Sequence, residues 1–322
     1  MTFSNLEGYS MVRSIGFVSL LPLIDQMNLP ISPPAIVRQG KSLSVPEVPR
    51  HGAEQIIPRS RLEELHIVTP PLDQETVVPL PMKKDVKARS VLNLHPLFRS
   101  DDGPSMFDVQ QGRTGDCYLL ATLAAMAEKS PQSLIDMIMP TDATESQYRI
   151  KYVNPMDETS AEMDVFDTSY TDQENRPIYA GDHPRSEQKV SWVKVMENWF
   201  AKVADRYRGI LGPLGFEAIG KGGFPPIPYK IMTGKTMEMY RAPRSVAAFK
   251  DQLSMAHLHN SIIVLGTKKH TTIPELPGRH AYAVLGVKGS EVELYNPWGW
   301  KLSVPARTLL RNTEAFFVAH NE

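Results

Sequence analysis

No aromatic side chain occurs between Phe17 and Phe98 in this 322-residue chain. That gap limits where a core can form, because aromatic rings supply much of the apolar area a domain buries. The first ninety residues also hold 11 of the 27 prolines. Pairs such as Pro33-Pro34 and Pro70-Pro71 hold the backbone extended and remove donors. The apolar patches in this stretch (Ile56-Ile57, Leu65 to Val68, Val77-Val78) are too short to offset the entropy of ordering it. Residues 1–88 are therefore expected to form a Pro-rich, mostly disordered leader, with order beginning near Leu94. Beyond it, a composition of 42% hydrophobic and 22% charged residues is that of a chain able to bury a core.

The same numbers narrow the function. A formal net charge of −1, from 35 basic and 36 acidic side chains, gives no electrostatic case for a nucleic-acid partner. No apolar run reaches the ~18 residues of a membrane span. The run from Ile15 to Ile24 is broken by Pro22 and has no small-residue cleavage site after it, so it does not read as a secretory signal. Cys117 is the only cysteine. An internal disulfide and a Cys-rich zinc site are thereby excluded, and a reducing cytosol is the compartment in which a lone thiol keeps its reactivity. His257 and His259, two residues apart on a helix, face different sides, so no metal site is expected there.

Cys117 stands where a Gly-rich loop, Gln111-Gly112-Arg113-Thr114-Gly115-Asp116, turns into an apolar helix. Residues 119, 120, 123, 126 and 127 keep a helical spacing, and Pro131 ends it. A thiol at a helix N-terminus feels unpaired N–H groups and the positive end of the dipole, which favour thiolate. A nucleophilic cysteine also needs a base and a group to orient that base. His280 is the strongest of nine histidines, because it follows a loop and opens the apolar strand His280 to Val287. Asn296, in Tyr295-Asn296-Pro297-Trp298-Gly299, falls at the open end of the same predicted hairpin. Its side-chain amide is placed to set the tautomer of the ring, with Trp298 as a shield against water. Gln111, or its neighbour Gln110, offers an amide that could join the backbone N–H of Cys117 in an oxyanion hole. Taken singly, each of these residues is more often structural.

Elsewhere the pattern predicts helices over Pro131 to Met139, Ser191 to Tyr207 and Arg244 to Leu258. In the second of these, Trp192, Val195, Met196, Trp199, Phe200 and Val203 share one wide apolar face. Strands are predicted at Tyr148 to Val153, Met163 to Asp167, Ile262 to Leu265, His280 to Val287, Glu291 to Tyr295, Leu302 to Val304 and Ala315 to Ala319. Residues 168–190 read as loop. Gly220-Lys221-Gly222-Gly223 is followed by Phe-Pro-Pro rather than a helix-forming Ser or Thr, so it is a bend and not a phosphate loop.

The motif Gln-Gly-Arg-Thr-Gly-Asp-Cys-Tyr-Leu-Leu-Ala (111–121) closely resembles the cysteine motif of the calpains, Gln-Gly-x-x-Gly-Asp-Cys-Trp-Leu-Leu-Ala. Gly278-Arg279-His280-Ala281-Tyr282 resembles their histidine motif, and Asn296-Pro297-Trp298-Gly299 their asparagine motif. The three stand in the family's order, 163 and 16 residues apart. The stretch Ser191-Trp192 to Glu197 is similar to the calpain helix that carries Trp and Leu-Glu-Lys-Ala-Tyr. The resemblance implies an α+β, papain-like, two-lobed cysteine protease core. A helical lobe, 89–238, would carry Gln111 and Cys117, and a β-rich lobe, 239–322, would carry His280 and Asn296. It further implies Cys117 as nucleophile, His280 as base, Asn296 as orienter and Gln111 as oxyanion donor, with a protein or peptide substrate lying extended in the cleft.

The departures shape the remaining expectations. Tyr118 replaces the usual Trp. Only 23 residues follow Gly299 and no EF-hand pattern occurs, so no cofactor is expected and calcium, though possible by family resemblance, is not supported. A lone core behind a Pro-rich leader resembles atypical or bacterial calpain-like proteins. The leader is then expected to bind a partner or a secretion machinery, as in an exported effector acting in a host cytosol. Two other uses of such a core stay open: a papain-fold transglutaminase or deamidase acting on glutamine side chains, and a catalytically inactive binding module. If the leader takes no part in the core, deleting residues 1–88 leaves the melting temperature and the reactivity of Cys117 nearly unchanged. Calorimetry and thiol labelling of the truncated chain check this.

Overall fold

The computed structural model describes residues 89–92, 95–99, 103–141, 146–174, 176–182, 189–207 and 215–320. The expected leader lies outside the described residues. Strand β1 (Arg89–Leu92) opens the described chain, and a short 3₁₀ turn follows at Met106–Asp108. Helix α1 (Cys117–Lys129) runs directly into α2 (Pro131–Met137), which begins with proline at the first helical position, where a missing N–H costs nothing. Then come β2 (Ile138–Pro140), β3 (Gln147–Val153), β4 (Ser160–Phe166) and β5 (Thr168–Thr171). Strands β2, β3 and β4 form an antiparallel sheet in that order, and β5 pairs with β1. Helix α3 (Trp192–Arg206) follows, then α4 (Gly215–Ile219) and α5 (Pro226–Thr233).

The rest of the chain builds one sheet. Its elements are β6 (Glu238–Arg241), helix α6 (Val246–Leu258), β7 (Ile262–Thr267), β8 (Ala281–Lys288), β9 (Glu291–Asn296), β10 (Trp300–Pro305), helix α7 (Ala306–Asn312) and β11 (Thr313–Ala319). The six strands lie in the order β10-β9-β8-β7-β11-β6, each antiparallel to its neighbours. This is the papain-like division into a helical lobe with the cysteine and a β-rich lobe with the histidine and asparagine.

Why the strands read as continuous apolar runs is clear from their packing: both faces are covered. On one face Ile262, Val264, Ala281, Ala283, Leu285, Ala315 and Phe317 join the core built on α1 and α3. On the other, Ile263, Leu265, Tyr282, Val284, Phe316 and Val318 pack under α6 and α7 with Phe249, Leu253 and Leu309. The period of two thus sorts each strand between two cores. Helix α1 lies where the lobes meet and is buried throughout Tyr118 to Ala127.

Besides β1, α4, β6 and α7, which the sequence reading left unassigned, three elements depart from it. The helix predicted to Met139 stops at Met137, and Ile138–Pro140 becomes an edge strand paired to β3. Part of the expected 168–190 loop is β5. The third is α5, which holds Pro226 and Pro228, and whose N-cap is Pro225. Proline there reads as extended chain, yet all three sit in the first turn, where helix N–H groups have no intrahelical partner. Gly234, at φ 73°, ends α5 in the left-handed conformation.

The wide face of α3 lies in the helical core: Trp192 and Trp199 are fully buried, and Trp199 meets Tyr152 edge-on at 5.8 Å. Trp199→Ala should therefore cost about 3–5 kcal/mol, read as a lower urea midpoint with an unchanged slope.

Candidate active site

The loop that carries Cys117 is fixed by backbone bonds before any side chain matters. Arg113 N–H donates to Ile178 O at 2.8 Å, Gly181 N–H to Gln110 O at 3.0 Å, and Gln111 N–H to Pro297 O at 2.7 Å. The last of these crosses between lobes and ties the cysteine loop to the turn after Asn296. Tyr295 Oη adds a second crossing bond, to Val109 O at 3.0 Å. Gly112 is required by close approach, since a Cβ there would overlap the carbonyl of Tyr179. Cys117 is the first residue of α1, half-buried, with Sγ 4.0 Å from Arg279 O.

His280 is delivered by an equally constrained segment. A Cβ on Gly278 would overlap Lys269 O, and Arg279 takes φ 57°. Thr267 Oγ1 receives the N–H of His280 at 2.9 Å and donates to Pro277 O at 2.7 Å. This pins the segment just before β8. Sequence reasoning missed Thr267; a threonine ending an apolar strand carries no signal of its partner.

Asn296, fully buried at the end of β9, brings Oδ1 to 2.8 Å from His280 Nε2. The same oxygen accepts the N–H of Trp298 at 3.0 Å. Because that donor identifies the atom as the oxygen, Nε2 must carry the ring proton, which leaves Nδ1 bare in the neutral imidazole. Trp298 lies over the ring, centroids 4.4 Å apart, and Tyr282 meets it edge-on at 4.9 Å. Asn296 and His280 are thus together and screened, and Cys117 reaches the carbonyl next to His280.

Gln111 is buried beside Cys117 but its amide is occupied. Nε2 donates to Thr114 O at 2.6 Å and reaches Asp116 Oδ1 at 3.3 Å. Of its two hydrogens, the one on Asp116 is the more weakly held.

Burial dominates the charges. It pushes the Cys117 thiol up to about 12, helped by the charge of Asp116 and opposed by hydrogen bonds from the backbone at Ala281 and Tyr118. The thiolate expected from the helix terminus is outweighed, because loss of solvation costs more than one helix end returns. Burial also lowers His280 from 6.5 to about 4, with the Asn296 bond pulling the other way. Both shifts favour the uncharged form, the thiol of Cys117 and the neutral imidazole of His280. Among the described residues no three His, Cys, Asp or Glu side chains converge closely enough to hold a metal ion.

The lobes and the arrangement at their junction define a papain-like cysteine protease core. Comparison with known proteins gives the family: the calpain family cysteine protease profile matches residues 84–304, and this chain belongs to that family. Among its relatives, the calpain-type cysteine protease DEK1 of Zea mays is 23% identical over 260 residues, 76% of this chain and 11% of the maize protein. Calpain-13 of Rattus norvegicus is 26% identical over 212 residues, 62% of this chain and 30% of the rat protein. The rice protein ADL1, also a calpain-type cysteine protease, is 24% identical over 206 residues, 59% of this chain and 9% of its own length. The aligned region therefore spans less than a third of each of these relatives.

The lowered His280 gives a stability prediction. Its unfolded form takes up a proton first, so its contribution is present above about 6.5 and is lost as pH falls through about 4. That is a loss on the order of 3 kcal/mol in wild type. His280→Ala should lack this part of the acid destabilisation, measured as urea midpoint against pH.

Proposed function

We propose that this chain is a cysteine endopeptidase that cleaves protein substrates through Cys117, His280 and Asn296, independently of calcium. The observation that carries the reading is the 2.8 Å bond from His280 Nε2 to Asn296 Oδ1, which leaves Nδ1 as the basic nitrogen of a residue whose preceding carbonyl, Arg279 O, lies 4.0 Å from the Cys117 sulfur. The neutral imidazole is the form a general base requires. As a peptide carbonyl approaches, Nδ1 takes the thiol proton and Sγ forms the bond to carbon. The tetrahedral oxyanion is met by the N–H of Cys117 at the helix start and by the Gln111 hydrogen released from Asp116. The imidazolium then gives its proton to the leaving amine, and water activated by the same nitrogen hydrolyses the thioester. Asn296 keeps the ring in the productive tautomer, and Trp298 keeps water from that bond.

Family membership supports the peptidase reading over a glutamine-modifying or purely binding role, and the full set of Cys117, His280, Asn296 and Gln111 supports an active core over an inert one. Calcium independence rests on the sequence, in which no EF-hand pattern occurs. Cys117→Ala and His280→Ala should each lower cleavage of an unfolded protein substrate on the order of 10⁴-fold or more, with melting curves like that of wild type. A calcium chelator should leave the wild-type rate unchanged. Undiminished turnover by Cys117→Ala would sink the assignment, and a rate lost to the chelator would sink calcium independence.

A further inference from the structure

Next to Cys117 lie two carboxyl groups, with no cation among the described residues acting on either. Asp116 precedes α1 and is fully buried; Glu197, on α3, is 1% exposed. Each has one oxygen accounted for. Gln111 Nε2 reaches Asp116 Oδ1 at 3.3 Å, and the N–H of Ala180 donates to Glu197 Oε2 at 2.9 Å. The other two oxygens, Asp116 Oδ2 and Glu197 Oε1, are buried and meet no donor among the described residues. The two side chains are near enough for each carboxyl to act on the titration of the other. Ionised carboxylates only accept, so a hydrogen bond between the two requires a proton. Two like charges buried side by side cannot both ionise without a large cost.

We propose that Asp116 and Glu197 work as one positioning unit, sharing a single proton between Asp116 Oδ2 and Glu197 Oε1, which holds Gln111 and the first turn of α1 in register beside Cys117. The unit links three segments in series. Ala180 donates to Glu197, protonated Glu197 donates to Asp116, and Asp116 accepts from Gln111. Donation from Glu197 draws charge from Asp116, which therefore competes weakly for the Gln111 hydrogen: 3.3 Å, against 2.6 Å to Thr114 O. That is the hydrogen an oxyanion would recruit. In this respect the proposal rests on the reading of Cys117 as nucleophile. The cap of α1 agrees with it, because Asp116 makes no side-chain bond to the helix it precedes; both its oxygens are turned to the unit.

The electrostatics agree in direction. Burial, the charge of Asp116 and the shared bond all hold Glu197 well above the ordinary carboxylate range. Burial raises Asp116 to about 6, opposed by its bonds to Glu197, to its own N–H and to Gln111. The titratable groups that face the unit are Cys117 and Tyr118 on α1, Tyr170 on β5, and Tyr179 in the loop beside Ala180. No cation acts on either carboxyl among the described residues. With folded values raised, the contribution to stability is full below the unfolded carboxylate range and declines as pH rises, first through about 6 and further as Glu197 loses its proton.

The test uses the full chain, whose only cysteine makes iodoacetamide a specific reporter of Cys117. Glu197→Gln keeps an acceptor for Ala180 and a donor for Asp116 but cannot ionise. As pH rises past the point where Glu197 loses its proton in wild type, the alkylation rate of the variant relative to wild type should rise at least about threefold, because wild type then gains a second negative charge near the thiol. Its melting temperature should pull ahead of wild type over the same range. Asp116→Asn, which removes the repelling partner, should flatten the wild-type pH slope in the same way. Parallel pH curves for a folded variant and wild type, as a mere packing role would give, overturn the proposal. If neither variant folds, infrared spectroscopy of wild type decides: a protonated-carboxyl band persisting above about pH 7 supports the shared proton, and its absence overturns it. Widening pH curves in a protein with no peptidase turnover would count against the function proposed above and not against this unit.

Discussion

The burial of α1 at the junction of the two lobes is the constraint on which the rest depends. From Tyr118 to Ala127 every residue of the helix is buried, because α3 packs one side and the sheet packs another. A helix enclosed on all sides cannot turn or slide without opening both cores. Its first residue is therefore held in place by hydrophobic packing many residues away. The thiol sits at the one end of this element that emerges between the lobes.

The same burial sets the electrical character of the site. It raises the thiol, lowers the imidazole and leaves two carboxyl groups that must keep a proton between them. Each shift has the same largest cause, the loss of water around a charge. Polar atoms in such a place are costly unless paired, and the pairing here is nearly serial: Thr267 to His280, His280 to Asn296, Glu197 to Asp116, Asp116 to Gln111. Two bonds, Gln111 to Pro297 and Tyr295 to Val109, cross between lobes and join the halves of the site.

Much of this was legible in the chain. The apolar stripe on α3, the continuous runs of β7 and β8 and the loop-to-helix step at Cys117 all follow from periodicity and chain breakers. His280 and Asn296 could be named because a hairpin brings its two ends together whatever its environment. The misreadings have a common origin. Helix α5 hides behind prolines that are harmless only in a first turn, and β2 and β5 are short strands whose identity comes from the partners they pair with.

The sequence by itself determined the longer periodic elements, the family motifs and the four residues of the candidate site, because each is encoded within a few positions of chain. Tertiary structure alone decided the protonation state of the thiol and the imidazole. It also decided where the Gln111 amide points and that Glu197 answers Asp116 from 81 residues away. Those properties depend on which atoms exclude water and which donors remain within reach. Local pattern carries no information about either until the chain has closed around them.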